Sequence, residues 1–138
     1  MVLVGVLMSA PKEAWTSRGS RQTKPWGETY DWHALHTING KVITIRKGCR
    51  TSFKYHKVKN EVFFVLSGMV KVTFANSRHL DEPEKHPLTT KTLLPGETLT
   101  VQSECPYRFE AVEESQIIEV GDRSDDCSVM LEDDYGRA

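Results

Sequence analysis

An all-β sandwich or barrel is the fold class this sequence predicts, on three observations. Apolar residues fall in short β-forming runs, Gly and Pro turn signals separate those runs at regular spacing, and no amphipathic helical period extends over the central region. About eight short strands so spaced satisfy a jelly roll.

The elements follow in order. Residues 9–24 are polar and rich in Ser, Thr, Arg and Lys, and read as a flexible leader. The expected division is therefore a leader over 1–23 and a folded domain over 24–138. Strands are predicted at Val42 to Arg46, Thr51 to His56 and the apolar run Glu61 to Leu66. Ser67-Gly68 then makes a hairpin turn into Met69 to Phe74, which alternates as a half-buried strand does. Residues 76–90 carry two prolines and dense charge and are expected to form a surface loop. Thr92 to Leu94 and Leu99 to Gln102 flank a Pro95-Gly96 turn, and Tyr107 to Val112 and Gln116 to Val120 complete the series. The acidic tail from Gly121 to Ala138 is left between a short helix and a course along the barrel.

With 138 residues the chain is expected to form one domain. Its 18 basic and 19 acidic side chains leave a net charge of −1, so no basic excess serves a nucleic-acid backbone. Cys49, Cys105 and Cys127 are widely spaced with no CxxC pair, which suggests neither a disulfide framework nor a thiolate zinc site. Free thiols in a reducing cytoplasm are the default expectation. The apolar start, Met1 to Met8, lacks a basic leading segment and is far shorter than the ~20 residues of a membrane span. Lys12 and Glu13 follow the small Ser9-Ala10 pair at once, which suits a signal peptide poorly. An added strand over Val2 to Leu7, or a true start near Met8, explains the run more simply.

One segment carries chemistry. Gly48, Lys54, His56, Glu61 and Gly68 stand in the pattern G-x5-K-x-H-x4-E-x6-G. Lys54 and His56, two apart, share a face of a strand, with Arg50 and Ser52 on that face if no bulge intervenes. Glu61 lies just past a short turn, on the neighbouring strand, where its carboxylate can meet the His56 imidazole. Buried polar groups in a barrel must be paired or functional.

That spacing resembles the first motif of the cupin superfamily, which has two His, one Glu and a closing Gly. Glu104 to Ala111 (ECPYRFEA) stands where the second cupin motif falls, with Tyr107 at the family His and Ala111 at the family Asn. Lys24-Pro25-Trp26-Gly27 followed by Tyr30, and Asp134-Tyr135-Gly136-Arg137 at the end, resemble the opening and close of the type II mannose-6-phosphate isomerase cupin. That domain also forms the C-terminal part of bifunctional mannose-1-phosphate guanylyltransferases. The resemblance covers roughly residues 24–137 and implies a single cupin jelly-roll barrel.

The resembled family holds a divalent metal, commonly zinc, on Gln or His, then His, Glu and a final His. Mapped onto this chain, His56 and Glu61 match, while Lys54 replaces the first ligand and Tyr107 the last. A protonated ammonium has no lone pair, and a phenol with a pKa of about 10 is a poor ligand. Zinc sites need at least three protein ligands, so no metal is expected; if zinc or another divalent ion binds, His56 and Glu61 are its ligands.

Two readings stay open. In the first, Lys54 fills the metal's place and pairs with Glu61, and the barrel is a non-catalytic sugar- or small-anion-binding module. In the second, Lys54 supplies fixed positive charge to a sugar carbonyl while His56 or Tyr107 moves a proton, as metal-free isomerisation or epimerisation requires. The resemblance implies a sugar phosphate or nucleotide sugar as ligand. A metal-dependent oxygenase or lyase is the weakest alternative, since it needs a firmly held metal.

Arg50 aligns with a family Arg and is expected either to bind an anionic group of the substrate or to form a salt bridge at the barrel mouth. Ser52 and Arg137 join it as substrate-binding candidates. His33, His36, His79 and His86 read as solvated, Cys105 as a small buried residue, and Trp26 as a lid over one end of the barrel. A homodimer is expected, because a small barrel leaves an edge strand and an apolar sheet face to cover.

Overall fold

The structure is a computed structural model that describes residues 10–123 and 127–138, with residues 33 and 34 described by their backbone alone. The expected strand over Val2 to Leu7 and the side chain of His33 lie outside the described residues.

Eleven strands form two antiparallel sheets: β1 (Ser20–Lys24), β2 (Gly27–Leu35), β3 (Ile38–Ile45), β4 (Phe53–His56), β5 (Glu61–Ser67), β6 (Val70–Phe74), β7 (Thr89–Leu93), β8 (Thr98–Val101), β9 (Tyr107–Ala111), β10 (Ser115–Gly121) and β11 (Ser128–Glu132). One sheet has the order β1-β2-β3-β10-β5-β8 and the other β11-β4-β9-β6-β7. This is a jelly-roll barrel, and the eight expected strands are present with ends shifted by a few residues.

Three strands were not expected. β1 forms from residues counted with the leader, paired with β2 in a register that sets Ser20 opposite Asp31. β1 is polar throughout, and the inward side of β2 carries Thr29 and Asp31 while its Tyr30 and Trp32 are exposed, so neither shows a buried apolar face to a hydrophobic pattern. β11 is the acidic tail itself, lying along β4 with Ser128 opposite His56.

The turns at Ser67-Gly68 and Pro95-Gly96 do not make hairpins. β5 and β6 lie in different sheets, as do β7 and β8, so each turn carries the chain across the barrel. Gly68 has φ +89°, and a Cβ there would lie 2.3 Å from Ser115 Oγ and 2.4 Å from the Glu114 carbonyl. The closing glycine of the motif is therefore required by the crossing itself.

The apolar core occupies one end of the barrel. Ile43, Ile45, Val65, Val70, Val72 and Ile117 pack around Phe63, Tyr107 and Phe109, whose ring centroids lie 4.9–5.8 Å apart. Such tilted and edge-on aromatic pairs add about 1 kcal/mol each beyond the area they bury. Trp26 is buried with this core and also lines the cavity beyond it. In the 76–90 loop, a 3-10 turn at Ser77–Leu80 brings His79 Nδ1 to 2.7 Å from the His86 carbonyl, and His86 Nδ1 lies 3.3 Å from Asn76. These two histidines are half-buried rather than solvated. The three cysteines are free, and burial pushes the Cys105 thiol up. Among the described residues no helix is long and apolar enough to cross a membrane.

Charged pairs hold the C-terminal segment down. Asp134 accepts from Arg50 Nη2 at 2.8 Å and lies 3.6 Å from Arg108, while Asp133 accepts from Arg137 Nη2 at 2.8 Å and Nε at 3.0 Å. Those Arg137 bonds lower the Asp133 carboxyl from 3.8 to about 2. A depressed carboxylate contributes stability above its unfolded pKa and loses it as pH falls through the folded value. The melting-temperature gap between the wild type and Asp133→Asn is therefore expected to be constant above about pH 4 and to close toward about pH 2. A gap that does not change over that range would show that the Asp133–Arg137 pair does not stabilise the fold.

Candidate functional site

A cavity of about 330 Å³ lies beyond the core, between the β2–β3 side of one sheet and β4, β9 and β11 of the other. That volume is at the lower end of small-molecule sites. The strand register explains its polarity. Inward positions of the larger sheet run from Ile43 and Ile117, through Lys41 and Glu119, to Asn39 and Glu61, passing from apolar to polar and charged along the barrel.

Ser52, Lys54 and His56 all line this cavity, as their shared strand parity predicts. Glu61 and Tyr107 line it as well. The Glu61–His56 contact forms across the barrel, because β4 and β5 belong to opposite sheets and are not neighbours. The His56 Nε2 to Glu61 Oε1 distance is 3.3 Å, and the Tyr107 hydroxyl donates to the same oxygen at 2.7 Å. Tyr107 stands directly opposite Lys54 in the β4–β9 ladder.

The expected pairing of Lys54 with Glu61 is not found. Lys59, from the turn between β4 and β5, reaches back into the barrel, where its ammonium lies 3.3 Å from Glu61 Oε2 and 3.2 Å from Glu119 Oε2. Lys54 has no salt-bridge partner among the described residues, although it feels both carboxylates at longer range. The two lysines titrate in opposite directions for this reason. Burial lowers Lys54, and distant Glu119 and Glu61 do not make up the difference. Burial also works against Lys59, but contact with Glu119 and Glu61 outweighs it and raises that group. Burial, then the charge of Glu61, holds the Tyr107 phenol well above its ordinary value. Burial and Glu61 likewise raise Glu119, against the pull of Lys41 and Lys59.

Arg50 does not line the cavity. Its guanidinium is taken up by Asp134, and its backbone bridges to Glu110. Of the two expectations for Arg50, the salt bridge is the one observed. Arg137 does line the cavity, held by Asp133 and lying 5.6 Å from the Tyr135 ring centroid.

The pattern of motifs missed Lys59, Glu119, Lys41, Lys24, Thr29, Asp31 and Asn39, all of which line the cavity. One signal was available. Glu119 breaks an apolar run two residues after Ile117, at the inward parity, and Lys41 is its cross-strand partner, 3.9 Å away.

The donor set does not fit a divalent ion. Among the described residues no group of three His, Cys, Asp or Glu side chains converges. Around His56 and Glu61 stand the ammonium of Lys59 and a phenol that is donating rather than accepting.

In sequence, no family model matches the chain, and no curated protein matches it. Solved structures do match. An oxalate decarboxylase from Lactobacillus farciminis, in complex with formate, overlays with a TM-score of 0.69 at 15% identity, over 86% of this chain. CapF, with the inhibitor 3-isopropenyl-tropolone, overlays with 0.70 at 16% identity, also over 86%. KdgF from Halomonas sp. overlays with 0.65 at 14% identity, over 80% of this chain and 97% of that one.

The chain has the cupin fold. It spans only 38% of the length of the oxalate decarboxylase and 35% of CapF, whereas it is similar to nearly all of KdgF. The Bacillus subtilis oxalate decarboxylase, another cupin-fold match at 15% identity and TM-score 0.70, has Mn(II) centres. Identities this low carry the fold and no more.

Proposed function

We propose that this cupin-fold chain binds a sugar phosphate or nucleotide sugar in its barrel and acts on it as an isomerase or epimerase without a metal ion, in the cytoplasm. The observation that carries this reading is Lys54: a desolvated ammonium on the cavity wall, without a salt-bridge partner among the described residues, in a cavity where five cationic side chains face three carboxylates. Charge so placed suits an anionic ligand and an oxygen that gains negative charge during reaction.

In this reading Lys54 polarises the substrate carbonyl. His56, with Glu61 at 3.3 Å to orient it, takes the C–H proton beside the carbonyl, leaving an enediolate whose oxygen Lys54 holds; the neighbouring hydroxyl proton moves to that oxygen, and the imidazolium returns its proton to the former carbonyl carbon. Tyr107 is a positioning residue, since its hydroxyl is committed to Glu61 at 2.7 Å and its phenol is hard to ionise. Ser52 and Arg137 contact the ligand. The same cavity also serves the alternative, a non-catalytic sugar- or small-anion-binding module, because both oxygens of Glu61 are already engaged.

Turnover of mannose 6-phosphate, measured before and after dialysis against a chelator, tests the proposal. Turnover that survives the chelator is expected. Binding without turnover would favour the binding module. Loss on chelation with recovery on adding zinc would overturn the metal-independent reading and place the ion on His56 and Glu61.

The proposal includes a homodimer formed through the larger sheet, where Val62, Phe64, Leu66 and Val120 are exposed on β5 and β10. Contiguous apolar surface of this kind marks an association face. Sedimentation at micromolar concentration is expected to show a dimer, and a monomer would sink this part of the proposal.

A further inference from the structure

Opposite the wall that carries Lys54 and His56, three polar groups on β2 and β3 face the cavity with no hydrogen-bond partner among the described residues. Thr29 is 2% exposed and Asn39 7%, yet among the described residues Thr29 Oγ1 and Asn39 Nδ2 have no hydrogen-bond partner, and neither has Asp31 Oδ1. All three residues line the cavity. Buried donors and acceptors are nearly always paired, so three orphans on one wall point to a partner that the described residues do not supply.

The surroundings narrow that partner. Gln22 holds the other oxygen of Asp31 at 3.1 Å, which fixes the carboxylate in place. Lys41 stands directly across the ladder from Asp31. Lys24 lies close enough to Lys41, Asp31 and Arg137 for its ammonium to feel all three. Gly40, between Asn39 and Lys41, leaves room for the Trp32 ring, since a Cβ there would come within 2.5 Å of it. The wall thus offers cations for an anion, a hydroxyl and an amide for oxygen acceptors, and one ionised carboxylate that accepts only from a donor. An anion with acceptors alone, such as a simple dicarboxylate, leaves Asp31 Oδ1 unpaired and is repelled by it. A ligand with a hydroxyl beside its anionic group satisfies both.

We propose that Thr29, Asp31 and Asn39, flanked by Lys24 and Lys41, form a recognition wall for a hydroxyl-bearing phosphate, with Asp31 accepting from the hydroxyl and the lysines holding the phosphate. This inference rests on the reading of the cavity as a sugar-phosphate site and adds which wall selects the ligand and by which groups.

Calorimetric titration of the full chain with glycerol 3-phosphate, inorganic phosphate and oxalate tests it, beside the mannose 6-phosphate assay. Glycerol 3-phosphate is expected to bind most tightly. Asp31→Asn weakens it by roughly ten-fold or more, and Thr29→Val by roughly five-fold, the usual size of a charged and a neutral hydrogen bond. Thr29→Val also leaves the melting temperature unchanged or raised, because an unpaired hydroxyl gives way to a methyl group; a merely structural threonine would lose stability. Oxalate binding as tightly as glycerol 3-phosphate, unchanged affinity in both variants, or no binding of glycerol 3-phosphate overturns the wall. If mannose 6-phosphate is not turned over but glycerol 3-phosphate binds in an Asp31-dependent way, the isomerase reading falls and the wall stands. If turnover is present and its KM is the same in Asp31→Asn and Thr29→Val, the wall falls and the isomerase reading stands.

Discussion

Exchanging Lys54 for methionine is expected to cost mannose 6-phosphate turnover about a hundred- to a thousand-fold, the usual effect of removing one preorganised charge from a reacting oxygen. Methionine keeps the length and flexibility of the side chain and loses only the ammonium. The protein should not lose stability with it. Lys54 has no salt-bridge partner among the described residues to leave behind, and burial lowers its pKa. A lysine with a depressed pKa is held charged at a cost at every pH below its folded value, so methionine removes that cost at neutral pH. A melting temperature at or above the wild type, together with lost turnover, is the expected pair of results. Full turnover by Lys54→Met would remove Lys54 from the chemistry.

Glu61→Gln is expected to have the opposite profile, with a large loss of stability of about 3 kcal/mol, or roughly 10 °C in melting temperature. The Glu61 side chain is 1% exposed and carries three contacts: Tyr107 at 2.7 Å, His56 at 3.3 Å and Lys59 at 3.3 Å. Glutamine can still accept from Tyr107, but its amide then turns toward the Lys59 ammonium, donor against donor, and Glu119 alone must balance that buried cation. Tyr107→Phe removes only one neutral donor and should cost about 1–2 kcal/mol. Thermal or urea unfolding of the two variants decides the matter. Equal stability of Glu61→Gln and wild type would mean that the buried network does not hold the two sheets together.

Much of the site was legible because β-strands repeat every two residues. Lys54 and His56 had to share a face, and a carboxylate five residues on, past a short turn, had to return near the imidazole. That reasoning holds as far as backbone regularity does. It fails at Arg50, which turns its guanidinium to Asp134, whereas Ser52, also ahead of β4, keeps the inward parity. It also fails at the turns, since Gly68 and Pro95-Gly96 read alike whether a chain folds back on its own sheet or crosses to the other. A local pattern records the bend and not the sheet that receives the next strand.

The sequence by itself determined the all-β class, the eight central strands, the single cluster of Lys54, His56, Glu61 and Tyr107, and the mismatch of that cluster with a four-ligand metal site. These depend on residue type and short-range spacing alone. Only the tertiary structure decided which lysine neutralises Glu61. Lys54 and Lys59 are both within a few residues of it, but Lys54 is fixed on a strand opposite Tyr107, while Lys59 lies in a turn from which its ammonium reaches Glu61 and Glu119 together. The same holds for the acidic tail, which pairs with β4 as β11, where Arg108 meets Glu132, and just beyond it Arg50 takes Asp134. Contacts between residues distant in sequence follow from the packing of the sheets, and no spacing within the chain encodes them.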